Sequence, residues 1–106
     1  PSISDIIISK SLNIDCVEIH TGRLSNLVKS KKKHSSELKK IIKCTNFANK
    51  LGIEVHAGHG LDYNTTKLLR PIKGIKEFNI GHFIIGESIF FGLAKVIKNF
   101  KRIIIS

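Results

Sequence analysis

Residues 53–60 read IEVHAGHG. Ile53, Val55 and Ala57 recur with the period of two that a half-buried strand requires. The run then meets His56, Gly58, His59 and Gly60. A chain that stiffens with β-branched residues and then loosens with glycine is bending, or bringing its backbone close to something. A metal, a phosphate and an ordinary tight turn all satisfy that description. The same design recurs twice: DCVEIHTG (15–22) and IKEFNIGH (75–82) are also apolar runs that close on a Gly and a polar group. Three strands of one pattern, separated by helical stretches, predict parallel pairing with right-handed helical crossovers. In such sheets the C-terminal strand ends are where sites are built.

The intervening segments supply the helices. SISDIIISKSL (2–12) reads as a short helix with Ser2 or Ser4 as N-cap, Asp5 in the first turn and Asn13 at its end. ELKKIIKCTNFANKLG (37–52) is amphipathic, with Leu38, Ile41, Ile42, Thr45, Ala48 and Leu51 on one side and Lys on the other. Ser35 or Ser36 is its expected cap and Gly52 its stop. DYNTTKLLRPI (62–72) is a short helix capped by Asp62 or Asn64 and cut off near Pro71. SIFFGLAKVIKNFKRIII (88–105) is the last helix, burying Ile89, Leu93, Val96, Ile97 and Phe100. RLSNLVKSKKKHSS (23–36) is read as a long basic loop. The order is α-β-α-β-α-β-α. Three parallel strands leave two raw edges, and parallel sheets need both faces covered, so the pattern implies part of a larger barrel.

At 106 residues the chain has room for one modest domain, and 42% hydrophobic with 25% charged residues excludes a disordered polymer. The formal net charge of +10 admits a nucleic-acid or polyanion partner. Most of the lysines fall on solvent faces of helices, however. With a single Tyr, no aromatic platform interleaves with the Lys29–Lys33 run, so base reading is not expected. A basic polyanion-binding fragment and a non-functional relic stand as alternatives to an enzyme. Cys16 and Cys44 form no C-x-x-C pair, which fits reduced thiols in a cytoplasmic protein rather than a disulfide scaffold. No apolar run approaches the roughly 20 residues of a membrane span, and no signal-peptide pattern opens the chain. Pro1 either follows a removed initiator Met or lies inside a longer polypeptide.

The strand ends offer Glu18, His20 and Thr21, then His56, His59 and Gly60, then Asn79, Gly81 and His82. Period two puts Cys16, Glu18 and His20 on one strand face and Val17 and Ile19 on the other. A carboxylate facing a barrel interior is costly unless paired or used. Glu18 therefore either pairs with a Lys or a backbone donor, or stabilises charge in a reaction. Imidazole titrates near neutral pH, so His59 is placed to pass a proton, and its flanking glycines let backbone N–H groups approach an anion. An incidental imidazole in a turn is the competing reading. Gly81-His82 before a helix is a shorter phosphate-binding signal. A zinc site from His20, His56, His59 and His82 matches no known ligand spacing, so no metal is expected. His34, inside the Lys run, is read as solvent-exposed.

Together VEIHTG (17–22), EVHAGHGLDYNT (54–65) and EFNIGHFIIGESIFFGL (77–93) resemble the pyridoxine 5'-phosphate synthases, in order and with similar spacing. The resemblance implies a TIM barrel whose subunits form an octamer. It implies condensation of 1-deoxy-D-xylulose 5-phosphate with 3-amino-2-oxopropyl phosphate, closing the pyridine ring with loss of phosphate and water and without a cofactor. By that resemblance Glu18 is the transition-state stabiliser, His59 the proton donor and Gly60 a contact to the aminoketone phosphate. Gly81 and His82 likewise bind that substrate by its phosphate. Family members run to roughly twice this length, near the usual barrel size. The chain corresponds to barrel strands six to eight with a preceding helix, residues 1–106 being one partial-barrel domain. The family's two proton acceptors, a His and a Glu, and the groups that hold the deoxyxylulose phosphate belong to the first five strands. The isolated chain is expected to be inactive without such an N-terminal half or partner. His56 stands where the family often has Asn.

Overall fold

In the first two strands an apolar residue recurs at every second position, and these are what the helices cover. In the third a register shift breaks the alternation, so Ile75 and Phe78 are its core residues. In the computed structural model, which describes residues 1–105, the order is α1 (Ile3–Ser11), β1 (Cys16–His20), α2 (Gly22–Lys29), α3 (Ser35–Lys50), β2 (Glu54–Gly58), α4 (Tyr63–Leu69), β3 (Ile75–Asn79), α5 (His82–Phe91) and α6 (Leu93–Ile105). The strands form one sheet in the order β1-β2-β3, parallel throughout. Ile19, Val55, Ala57 and Ile75 face the helical layer, where they meet Leu24, Ile41, Cys44, Ala48 and Leu69 in one buried cluster. The opposite face carries Cys16, Glu18 and His20 against Glu54, His56 and Gly58, with Glu18 level with His56 in register. No helix among the described residues is long and apolar enough to cross a membrane.

Two helix starts follow the expected chemistry. Ser2 caps α1, its side chain accepting from the Asp5 N–H. Asp62 caps α4 in a full capping box: its Oδ1 accepts from the Thr65 N–H and hydroxyl, both at 2.8 Å, while Thr65 Oγ1 accepts from the Asp62 N–H at 2.9 Å. This helix follows the HAGHG turn in the chain, so its cap anchors the segment that leaves the strand end. Asp62→Ala is expected to lower stability by about 0.5–2 kcal/mol. Asn64→Ala, two residues further on and exposed, should stay within about 0.5 kcal/mol. Urea unfolding midpoints of the two variants check the contrast.

The structure corrects the sequence reading in four places. Residues 22–29 form a helix rather than the start of a loop, leaving only 30–34 irregular before α3. Leu24 and Ser25 are buried and Val28 packs on the same cluster, so an apolar stripe outweighs the basic composition. At α3 the N-cap is His34, and Ser35 and Ser36 lie inside the first turn. The last helix is two helices, divided at Gly92 with φ +84°, and the first of them already starts at His82. Only Val96 and Phe100 of the expected apolar set are buried there, while Ile89, Leu93 and Ile97 are exposed, as is Ile42 on α3. The buried stripe of α6 packs against α4 and α5, where the Tyr63, Phe83 and Phe100 rings meet.

Candidate active site

The C-terminal ends of β1 and β2 are tied together by one threonine. The Thr21 N–H donates to the Gly58 carbonyl at 2.8 Å. Its buried hydroxyl reaches the carbonyls of Gly58 and His59 at 2.8 and 2.9 Å. This grip holds His59 at φ +90°, a region that costs a residue with a Cβ about 1–3 kcal/mol. The His59 ring stacks on His20 with centroids 4.2 Å apart. Behind it, His20 Nδ1 accepts from the Gly22 N–H at 3.3 Å. Gly60 follows at φ +72°, and a Cβ there would lie 3.2 Å from the Ser25 Cβ and 3.4 Å from the Gly22 Cα. The two glycines of AGHG thus serve distinct needs: Gly60 supplies the reversed backbone, and Gly58 leaves room.

That room is taken by Glu18. A Cβ on Gly58 would stand 2.6 Å from the Glu18 carboxyl carbon. Glu18 Oε1 accepts from Asn79 Nδ2 at 2.6 Å, across the full width of the sheet from β1 to β3. Of the two readings of Glu18, pairing with a Lys or a backbone donor is not what the structure shows: its partner is an amide, which fixes the carboxylate's direction without neutralising it.

Above this face lies an open cleft of about 870 Å³. Its lining includes Glu18, His59, Gly60, Gly81 and His82, the five positions to which the resemblance gives roles, together with Asn79, Lys29, Phe78 and Phe83. Gly81 is the N-cap of α5 and provides no side-chain cap, so the first N–H groups of that helix, which have no intrahelical acceptor, also lack one from the cap. Gly81, His82 and Phe83 at this helix start line the cleft. Such a helix start, with Lys29 also lining the cleft, is suited to an anion. Lys29 was not foreseen: the only signal was the basic run 29–33, and its place at the cleft depends on α2 existing.

The four histidines weighed for zinc are not gathered. His20 and His59 stack at the strand ends and His82 lines the cleft, but His56 turns away to Glu54, Glu77 and Cys16. Cys16 is exposed on that face, and its thiol is pushed up by desolvation and then by the carboxylates of Glu54 and Glu77. Cys44 is buried in the core, and burial pushes its thiol up as well. His34 is half-buried rather than fully exposed and reaches the Lys32 carbonyl.

Sheet and cleft define a parallel α/β protein that presents an imidazole, an oriented carboxylate and an uncapped helix start on one rim. The chain belongs to the family of the pyridoxal phosphate biosynthesis protein PdxJ, whose family model matches residues 1–106. It is 60% identical over 103 residues to a pyridoxine 5'-phosphate synthase of Pelagibacter ubique, covering 97% of this chain and 43% of that protein. Proteins of the same name from Zymomonas mobilis and Prochlorococcus marinus (strain MIT 9312) are 42% and 41% identical, over 95% and 92% of this chain and 39% and 40% of theirs. The chain thus spans about two fifths of the length of these relatives.

Proposed function

We propose that this chain supplies one half of a pyridoxine 5'-phosphate synthase active site, as the last three strands of a TIM barrel. The observation that carries the reading is the convergence of Glu18, His59, Gly60, Gly81 and His82 on one cleft from three separate strand ends. Two raw sheet edges and a polar inner face, rich in Cys16, Glu54, His56 and Glu77 beside the cleft residues, support the barrel. The substrates are 3-amino-2-oxopropyl phosphate, seated here, and 1-deoxy-D-xylulose 5-phosphate, seated mainly on the missing strands. The family's octameric assembly and a cytoplasmic location belong to the same proposal.

The chemistry follows from what each group can do. The α5 N–H groups at Gly81-His82, with Gly60 and Lys29 nearby, hold the aminoketone phosphate. Ring closure proceeds through dehydrations, and each departing hydroxyl needs a proton; His59 donates it. Positive charge that develops at nitrogen during condensation is stabilised by the Glu18 carboxylate, which Asn79 keeps aimed. The proton acceptors come from the N-terminal strands, and no cofactor is required.

Calorimetric titration of the 106-residue chain with a phosphonate analogue of the aminoketone phosphate tests the half-site. Measurable binding is expected, weakened in both His59→Ala and Gly81→Ala. No heat from a chain whose circular dichroism shows it folded would sink the half-site. Ring closure by the chain alone would sink the assignment of the bases to the other half.

A further inference from the structure

Below the cleft, on the same sheet face, a second group of side chains has no part in the proposed synthase chemistry. We propose that Cys16, Glu54 and His56 form a binding site for a zinc-class divalent metal, with Glu77 orienting the imidazole. Strand register builds it: Cys16 on β1 lies level with Glu54 on β2, and His56 follows two residues later on the same face. Cys16 Sγ is 3.4 Å from His56 Nε2, and Glu54 Oε2 is 2.7 Å from that same nitrogen. One ligand atom from each of the three residues lies within 4.8 Å of the others. Zinc bonds of about 2.0–2.3 Å in a tetrahedron separate donors by about 3.3–3.8 Å. The sulfur and nitrogen stand at that spacing, but Sγ is also 3.6 Å from Nδ1 and so lies over the ring; the exposed Cys16 side chain has to turn to bring Sγ toward the Nε2 lone pair. Glu54 needs to back off by about half an ångström for such a tetrahedron, and its side chain is 45% exposed and free to do so.

The other ring nitrogen completes the case. His56 Nδ1 is 3.2 Å from Glu77 Oε2 on β3. A metal-ligating imidazole characteristically donates its second N–H to a carboxylate, which fixes the ring and raises its basicity. The arrangement thus has ligands from β1 and β2 and an orienting carboxylate from β3, so one ion would tie all three strands. Thiolate with imidazole selects zinc or cobalt over magnesium or calcium. Three protein ligands leave a fourth position open to water. The sequence could not disclose this site, since Cys16 and His56 lie 40 residues apart and only register joins them. The inference does not rest on the synthase reading.

The test titrates the reduced 106-residue chain with Co(II), then displaces it with Zn(II). One equivalent of cobalt is expected to give a thiolate-to-cobalt charge-transfer band, bleached by one equivalent of zinc. Cys16→Ser, at an exposed position, should keep the circular dichroism of the parent, lose the band and bind zinc at least about 100-fold more weakly. Glu77→Gln should keep the band and lose about 10–100-fold in affinity. Cys44→Ala should retain both band and affinity. Zinc should raise the melting temperature of the parent and not of Cys16→Ser. A folded chain without the band, or a Cys16→Ser variant that binds zinc as tightly as the parent, would overturn the site and leave His56 as an ion-pair partner of two carboxylates.

Discussion

Gly58→Ala is expected to lower ring closure by about 10²–10³-fold while changing stability by less than about 1 kcal/mol. The two halves of this expectation come from one contact. A methyl at position 58 falls on the Glu18 carboxyl group, 2.6 Å from its carbon and 3.0 Å from Oε2. Glu18 is exposed at the sheet surface, so its side chain rotates away and the fold loses little. Rotation breaks the 2.6 Å bond from Asn79 and removes the negative charge from the place where positive charge would develop. The assay joins this chain to the N-terminal part of the Pelagibacter ubique relative, so that the bases proposed to be missing are supplied. Glu18→Gln in the same background should lose as much. The Gly58→Ala, Glu18→Gln double variant should be no worse than either single one, because both remove the same interaction. Full activity in Gly58→Ala, or losses that simply add, would mean Glu18 does not act from the position seen here.

The features legible in the sequence are those enforced locally. Strand periodicity, the Asp62 cap and the glycines of AGHG each answer to one or two neighbouring residues, and a chain must spell such needs out where they occur. Parallel strands deliver their C-terminal ends to one rim, which named nine candidates; the resemblance to the synthases narrowed these to the five that line the cleft. What escaped was set by distant partners. Helix α2 depends on Leu24 and Val28 finding the core, which its basic composition hides. Ile89 and Ile97 carry a buried-looking period, yet periodicity marks a stripe without saying what covers it. The break at Gly92 lies inside the stretch 88–105 that reads as one helix, and the φ of +84° there is what divides it. Lys29 and the Cys16–Glu54–His56 group required the tertiary arrangement itself.

Substitutions at His59 should separate backbone strain from proton transfer. At most positions Ala is more stabilising than Gly by about 0.4–1 kcal/mol, because glycine has more unfolded-state freedom to lose. At φ +90° the order should reverse. His59→Ala and His59→Gly both give up the stacking on His20, but Ala keeps a Cβ in a region that penalises it and Gly does not. His59→Gly is therefore expected to be the more stable of the two by about 1 kcal/mol in urea unfolding. Equal or inverted stabilities would show that the turn is not held in the conformation described. Catalysis should not follow stability. In the completed chain both variants should lose about 10²–10⁴-fold in kcat, the usual worth of a positioned acid. Added imidazole should restore part of the rate in His59→Gly, where the vacated space lies between His20 and the cleft. A turn residue with only a structural role would show no such rescue, because a free imidazole can return a proton donor to the cleft but cannot re-form the backbone link.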